Sequence, residues 1–480
     1  MNSRSRWLIF LLVAVAQFMV ILDISITNVA LPTIKEAYHF TTDTLQWVIT
    51  AYALTFGGFL LLGGRVADLF GRRRTLLIGM TGFTIISFFI GISQSALLLI
   101  VLRALQGLAA ALMSPSALSI VLTTFKEGKE RNKALGYWST IATGGAAVGL
   151  LLGGVLTQYV GWRWNFFINV PVGLSVAAAI FKIVPKHESE ADHTDLDLPG
   201  AVLVTSGLMT LVFLISEAPV WGIFSLPVIG LFVFTVLLLI AFVINESRSD
   251  HPLMPLSIFK VRNVVGANLM MAPVAATMFG NFFLLSLYIQ TVLRYSPVMT
   301  GLSFLPFPII MGYASTKVSG LVTKYGYKRF LIAGPLLVAV SIGLLCQLPV
   351  HGNYFINVFP SIVLMPLGIS MTYMPLIAAA TSGVRSDESG LVSGLINTSQ
   401  QMGGALGLSI LSGIAAAVTA SFIQLGQRAA AVAGYDRAYF AAVIFMILAA
   451  SLAIVIIKQK KHPKKHHESH SSVSQQVSFD

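Results

Sequence analysis

Long apolar runs separated by short polar ones fill the chain from Trp7 to Ile457. A helix of ~20 apolar residues crosses a ~30 Å hydrocarbon core. On that criterion the first block holds six spans, at 7–30, 44–63, 75–92, 96–118, 134–156 and 165–181. Two more follow at 199–216 and 224–244, and a last block of six lies at 264–289, 300–319, 330–348, 354–378, 391–418 and 439–457. The pattern predicts an all-α membrane protein of fourteen transmembrane helices: two six-helix bundles plus two inserted helices. The expected units are 1–182, a linker with the inserted pair at 183–262, 263–457, and a tail at 458–480.

Two polar stretches set off the middle pair. Residues 182–199 carry Glu188, Glu190, Asp192, Asp195 and Asp197, and residues 245–263 carry Arg248, Asp250, Lys260 and Arg262. Duplicated halves are a common transporter plan, and a weak internal echo supports it here. The run from Gly64 to Arg74 is followed by a similar one from Ser319 to Arg329. Gly326 matches Gly71, and Lys328 and Arg329 match Arg73 and Arg74; Thr323 stands where the first copy has Asp68.

Composition agrees. Apolar residues make up 56% of the 480 and charged residues only 10%, against about 25% charged in a soluble domain. So few charges cannot cover a soluble surface, which excludes a water-soluble enzyme, a nucleic-acid binder and a disordered scaffold. The net charge of +12 follows from topology. With the N-terminus inside, 25 of the 31 Lys and Arg fall on inner segments, counting Lys317 at the inner end of its span, and 5 on outer ones, which fits the positive-inside rule. Both termini are therefore expected in the cytoplasm. The first run is too long for a signal-peptide core, lacks a small-residue cleavage site and contains Asp23, so it reads as a retained span. The lone Cys346 leaves no intramolecular disulfide. The tail, with His462, His466, His467 and His470, reads as a basic segment near anionic lipid, with metal binding as the alternative.

Ionisable groups inside a membrane are expensive and mark function. Among the acids only Asp23 lies deep in a span, and Arg103 lies inside the fourth at a depth within ~4 Å of it, taking 1.5 Å per residue. Such a pair either fixes helix packing or forms a protonation site, where burial favours the neutral carboxyl and the guanidinium the charged one. Asp68, with Arg72 at i+4, Arg73 beyond and Gly64 and Gly71 flanking, reads as a cap for the third span or as a latch between moving helices. Gly145, Gly149 and Gly153 fall on one helix face and permit close packing. Candidate cargo contacts are Tyr52, Asn281, Asn397 and Gln401, set among aromatics and methionines. No histidine lies in a span, so no metal site and no cofactor is expected there.

Five runs carry a family resemblance. These are Leu22 to Pro32, Gly64 to Arg74, Arg103 to Gly107, Trp162 to Gly173 and Gly390 to Asn397. Each resembles a motif of the fourteen-span drug:proton antiporters of the major facilitator superfamily, and the similarity extends over residues ~7 to ~457. Leu150 stands where the fifth-helix motif of that family usually has proline. The resemblance implies a proton-driven exporter of amphipathic organic compounds, working by alternating access as a monomer in the cell membrane. Asp23 and Arg103 would couple the proton, and the Asp68 loop would act in gating. The alternatives are a dedicated exporter of one metabolite or natural product, and a non-transporting membrane sensor. The absence of further deep acids predicts a neutral or singly charged cargo.

Overall fold

The structure is a computed structural model that describes residues 3–125, 128–185, 197–222, 224–249, 252, 256–382, 384 and 389–458, apart from a few helical side chains. Glu188, Glu190, Asp192 and Asp195 of the linker and the four tail histidines lie outside the described residues, and so does the side chain of Thr323. Apart from one isolated bridge between Ser382 and Val384, all regular structure among the described residues is helical.

Among the described residues fourteen long helices follow one another. The first six are α1 (Ser3–Tyr38), α2 (Trp47–Phe70), α3 (Arg72–Ile92), α4 (Ala96–Thr124), α5 (Lys129–Tyr159) and α6 (Trp164–Ile183). Next come α7 (Leu198–Trp221) and α8 (Leu226–Arg248). The last six are α9 (Arg262–Val292), α10 (Pro297–Val322), α11 (Tyr327–Gly343), α12 (Tyr354–Thr381), α13 (Ser389–Ser421) and α14 (Gln427–Val455). Thirteen are long and apolar enough to cross a membrane. The other, α5, has 31 residues, but its described apolar part is Gly144–Tyr159. Its packing shows its direction. Gly145 meets Phe18 and Ile21, Gly149 meets Leu22 and Ser25, and Gly153 meets Ile26. Both numbers rise together, so α5 runs parallel to α1, as the first and fifth spans of an alternating series must. We call the face where α1 begins the inner face.

Several helices outrun their apolar cores. The first begins at Ser3 and ends at Tyr38, and α14 begins at Gln427 rather than near Tyr439. Their extensions are rich in good helix formers such as Lys35, Glu36, Arg428 and Ala429 to Ala431, which carry the helix past the apolar stretch.

Cations close the inner helix ends. Arg73 at the start of α3 donates to the Phe181 carbonyl at the end of α6 and stacks 5.2 Å from the Phe181 ring. In the second half Lys328, at the start of α11, donates to the Ile454 carbonyl of α14 at 3.0 Å. Each cation meets the negative end of a helix dipole. Gly71 and Gly326, which begin α3 and α11, both have positive φ, at 91° and 80°, a conformation that favours glycine. The weak echo in the sequence is thus a repeated structure.

Asp68 is not the N-cap residue of α3, as one of its two readings had it. Asp68 belongs to the last turn of α2, and the N-cap of α3 is Gly71, which has no side chain to cap with. The chain turns at Gly71, which leaves Asp68 on the wrong side of the break. Asp68 instead lies 3.4 Å from Arg72.

The two blocks of six meet near the outer face. Ser286 of α9 donates to the Asn28 carbonyl at 2.9 Å, and Gln290 donates to the Val29 carbonyl at 2.9 Å. Gln290 sits in a π-helical segment, Tyr288–Val292, a form that often marks functional sites. Gln158 of α5 accepts from the backbone N–H of Val298 at 3.2 Å. Gln290→Ala removes one of these bonds, worth about 1 kcal/mol, or a roughly fivefold shift in a two-state population. Cysteine labelling at outer positions in a Cys346→Ser background is expected to rise accordingly; unchanged labelling would remove Gln290 from the closure.

Candidate functional site

Five helices converge on Asp23. Its Oδ2 accepts from Arg103 Nη1 of α4 at 2.5 Å. Its Oδ1 accepts from Gln106 Nε2 at 2.9 Å and from Asn169 Nδ2 of α6 at 3.3 Å. Gln106 Nε2 also donates to Ser87 Oγ of α3 at 2.9 Å, and Ser87 donates to the Phe83 carbonyl. Arg103 donates from Nη1 to Gln106 Oε1 at 2.6 Å and from Nε to the Val48 carbonyl of α2 at 2.9 Å. Its guanidinium lies 4.4 Å from the Tyr52 ring and 5.8 Å from the Phe166 ring. Asp23, Arg103, Gln106, Asn169, Ser87 and Tyr52 are all buried.

Local structure explains the convergence. Arg103 and Gln106 are three residues apart on α4 and so share a face. Thr27 returns its hydroxyl to the Asp23 carbonyl at 2.7 Å, which keeps this polar turn of α1 satisfied within the helix. The glycine face of α5 holds α1 from behind: a Cβ on Gly149 would stand 2.7 Å from Ser25 Cβ, and one on Gly153 2.8 Å from Ile26 Cγ1. Gly149→Val is therefore expected to push α1 away, at a cost of about 1–3 kcal/mol in packing. Its transport should fall with it, measured as efflux per folded molecule; normal transport would show that α1 has slack the structure does not display.

The electrostatic design separates the two charges' supports. The carboxylate has the guanidinium and two amide donors. The guanidinium has two carbonyl acceptors and an aromatic face besides the carboxylate. A cation over a desolvated aromatic ring gains about 2 kcal/mol. Arg103 thus keeps partners when Asp23 is neutral, which a simple packing pair would not need.

The other expected residues are dispersed. Tyr52 belongs to this cluster, and its hydroxyl is buried with no hydrogen-bond partner. Gln401 is buried where α13 crosses α2, 2.5 Å from a Cβ built on Gly57. Asn281 is buried in α9 with its Oδ1 unpartnered, and Asn397 is exposed on α13. Gly64 has only Pro115 near the place of a Cβ, at 3.8 Å. Among the described residues no group of three or more His, Cys, Asp or Glu is placed to hold a metal ion. Sequence reading assigned no role to Gln106, Asn169 or Ser87. The first two stood inside motif runs, and the spacing of Gln106 from Arg103 was the available signal. It also left Asp436 outside the last span. In the structure Asp436 lies on α14 and lines an outer cavity of about 320 Å³ with Cys346, Val418, Phe422, Arg437 and Phe440.

Comparison with known proteins gives the family. The Major Facilitator Superfamily description matches residues 13–408. The chain belongs to the Major Facilitator Superfamily. It is 38% identical to the puromycin resistance protein pur8 of Streptomyces alboniger, over 95% of this chain and 92% of that one. It is 35% identical to the tetracenomycin C resistance and export protein of Streptomyces glaucescens, over 84% and 75%. A bacterial homologue of the human lysosomal transporter Spinster, in an inward-facing and occupied conformation, superposes with a TM-score of 0.70 at 15% identity, covering 95% of this chain and 97% of that one; that likeness concerns the fold. As a superfamily member the chain is a membrane transporter of small molecules and not an enzyme.

Proposed function

We propose that this transporter exports amphipathic organic compounds, antibiotics among them, in exchange for protons. The observation that carries the reading is the buried Asp23, held by Arg103, Gln106 and Asn169 at the junction of five helices. In the state described here the halves join near the outer face, so Asp23 is cut off from the outside. A proton taken up from the outside in the other state would neutralise Asp23 and release its hold on Arg103 and Gln106. Tyr52, the Val48 carbonyl and Gln106 Oε1 would then carry the guanidinium. Release inside would restore the pair and reset α1 against α4. The Asp68–Arg72 loop is assigned to stabilising the outward-facing state. The protein would act as a monomer in the cell membrane with both chain ends in the cytoplasm.

The test is efflux from proteoliposomes with and without an imposed proton gradient. Gradient-dependent efflux is expected, and transport indifferent to the gradient would reject the coupling. A narrower reading, one dedicated cargo, is favoured by relatives named for single compounds, such as puromycin and lincomycin. Growth inhibition across a panel of antibiotics, with and without expression, separates the two: protection against one compound alone would establish the narrow reading.

A further inference from the structure

The outer part of α14 carries an acid and a base that the Asp23 cluster does not use. Asp436 and Arg437 are neighbours in sequence, and both line the outer cavity of about 320 Å³. Asp436 Oδ1 accepts from the backbone N–H of Leu348 at 3.2 Å. Among the described residues the two side chains make no other hydrogen bond and form no ion pair with each other or with a third group. Opposite charges set side by side and left unpaired suit a ligand that carries both. The lining residues come from the turn after α11 and from α13 and α14. The cavity is thus formed within one block and not where the two blocks join.

Its depth decides what reaches it. Arg262 and Lys328 cap the inner end of α14 at the carbonyls of Ile454, Val455 and Ile456. From Val455 back to Asp436 the helix climbs ~29 Å at 1.5 Å per residue, which matches the ~30 Å of a hydrocarbon core. Asp436 and Arg437 therefore stand at the outer boundary between acyl chains and headgroups. Phe440 lies one turn deeper and is 57% exposed. It heads an exposed apolar stripe that continues inward through Ile444, Ile447 and Leu448. Phe422, also exposed, closes the α13 side of the cavity.

We propose that this cavity binds the headgroup of an outer-leaflet phospholipid that carries a primary ammonium beside its phosphate, as phosphatidylethanolamine does. Arg437 takes the phosphate, and the second oxygen of Asp436 takes an ammonium N–H. Both are charge-assisted bonds, the stronger kind. The carboxylate selects for N–H, and a trimethylated headgroup has none to donate. A volume of about 320 Å³ lies at the low end of the ~300–1,000 Å³ of small-ligand sites. That holds a headgroup and leaves the chains outside, along the stripe below Phe440. The site is separate from the Asp23 cluster and does not depend on the export reading.

Cys346 lines the cavity and is the only cysteine of the chain, so it reports occupancy without any substitution. The full chain, purified in an uncharged detergent, is reacted with a thiol-specific methanethiosulfonate while lipid is added to the micelles. Phosphatidylethanolamine is expected to slow labelling of Cys346 roughly tenfold, at about ten times the level that gives half-protection. Phosphatidylcholine and phosphatidylglycerol, which lack an ammonium N–H, should protect much less. Phosphoethanolamine without acyl chains should not protect; protection by it equal to that by the lipid would show a site for a soluble zwitterion and overturn the lipid assignment. Asp436→Asn keeps an acceptor for Leu348, and Arg437→Gln keeps a polar side chain at an exposed position, so both should fold. Each is expected to lose the protection, judged by its own rate with and without lipid. Arg428→Gln, exposed on the outer extension of α14, should keep it; loss there would reduce the effect to general surface charge and overturn the site. Equal protection by all three phospholipids, protection that survives both cavity variants, or no protection of the unsubstituted chain would likewise overturn the proposal.

Discussion

Asp23→Asn should abolish proton-coupled efflux. Asn keeps the size of the side chain and still accepts a hydrogen bond from Gln106, but it cannot bind and release a proton at physiological pH. The effect is larger than loss of one titrating group. Arg103 is buried and would lose its only ionic partner in this cluster. Removing one member of a buried pair costs about 3–5 kcal/mol, so the variant is also expected to fold in lower yield. Tyr52 and the Val48 and Gln106 carbonyl oxygens soften that cost without removing it. The double variant Asp23→Asn with Arg103→Gln separates the two losses. It should regain yield, since no buried charge is left unpaired, and still show no gradient-driven efflux. Efflux at the normal rate in either variant, measured per reconstituted molecule under a proton gradient, would refute the assignment of Asp23. A single variant of normal yield and no efflux would show that the cation has better support than the geometry displays.

Why the sequence exposed some of this site and hid the rest has a physical explanation. A charge in an apolar run stands out because its burial is costly, and so Asp23 and Arg103 could be found without a structure. Their pairing could be argued from depth alone, since rise per residue along two spans fixes their relative height. Gln106 and Asn169 cost less to bury, and nothing in composition distinguishes them from the polar residues that bond back to their own helix, as Thr84 does to the Met80 carbonyl. Ser87 is of the same kind. Their roles depend on rotation about helix axes and on neighbours from four other helices, which a linear pattern does not contain. The position of Asp68 relative to the helix start was hidden for a different reason. Its neighbours Gly64 and Gly71 suggested a junction, but which glycine carries the turn decides whether the acid lies before or after the helix start. The positive φ falls at Gly71, and Asp68 is left in α2. The inserted pair could be counted but not placed: hydrophobic period and charge give the number and direction of helices, while the seat of α7 depends on Gly58 and Thr205 meeting across 147 positions of chain.

Export should discriminate sharply by cargo charge. Among the described residues deep in the first block the only acid is Asp23, and both of its oxygens are already engaged, Oδ2 by Arg103 and Oδ1 by Gln106 and Asn169. It has little left to offer a cationic cargo, and Arg103 nearby repels one. A single delocalised positive charge on an apolar body can be tolerated by aromatic faces, which attract cations without a counterion. A second, fixed charge would lie in a low-dielectric cavity with no partner, and a penalty of about 3 kcal/mol for it corresponds to roughly a hundredfold loss of transport. Paired efflux assays with a mono- and a dicationic dye of similar hydrophobicity should therefore show strong export of the first and almost none of the second. A neutral analogue should be exported at least as well as the monocation. Equal export of the dication would mean that another carboxylate reaches the cargo. Asp436, which lines the outer cavity beside Cys346, is the first to replace. Asp436→Asn would then suppress dication export selectively, and if it did not, the reading of Asp23 as the one acid near the path of the cargo would have to be abandoned.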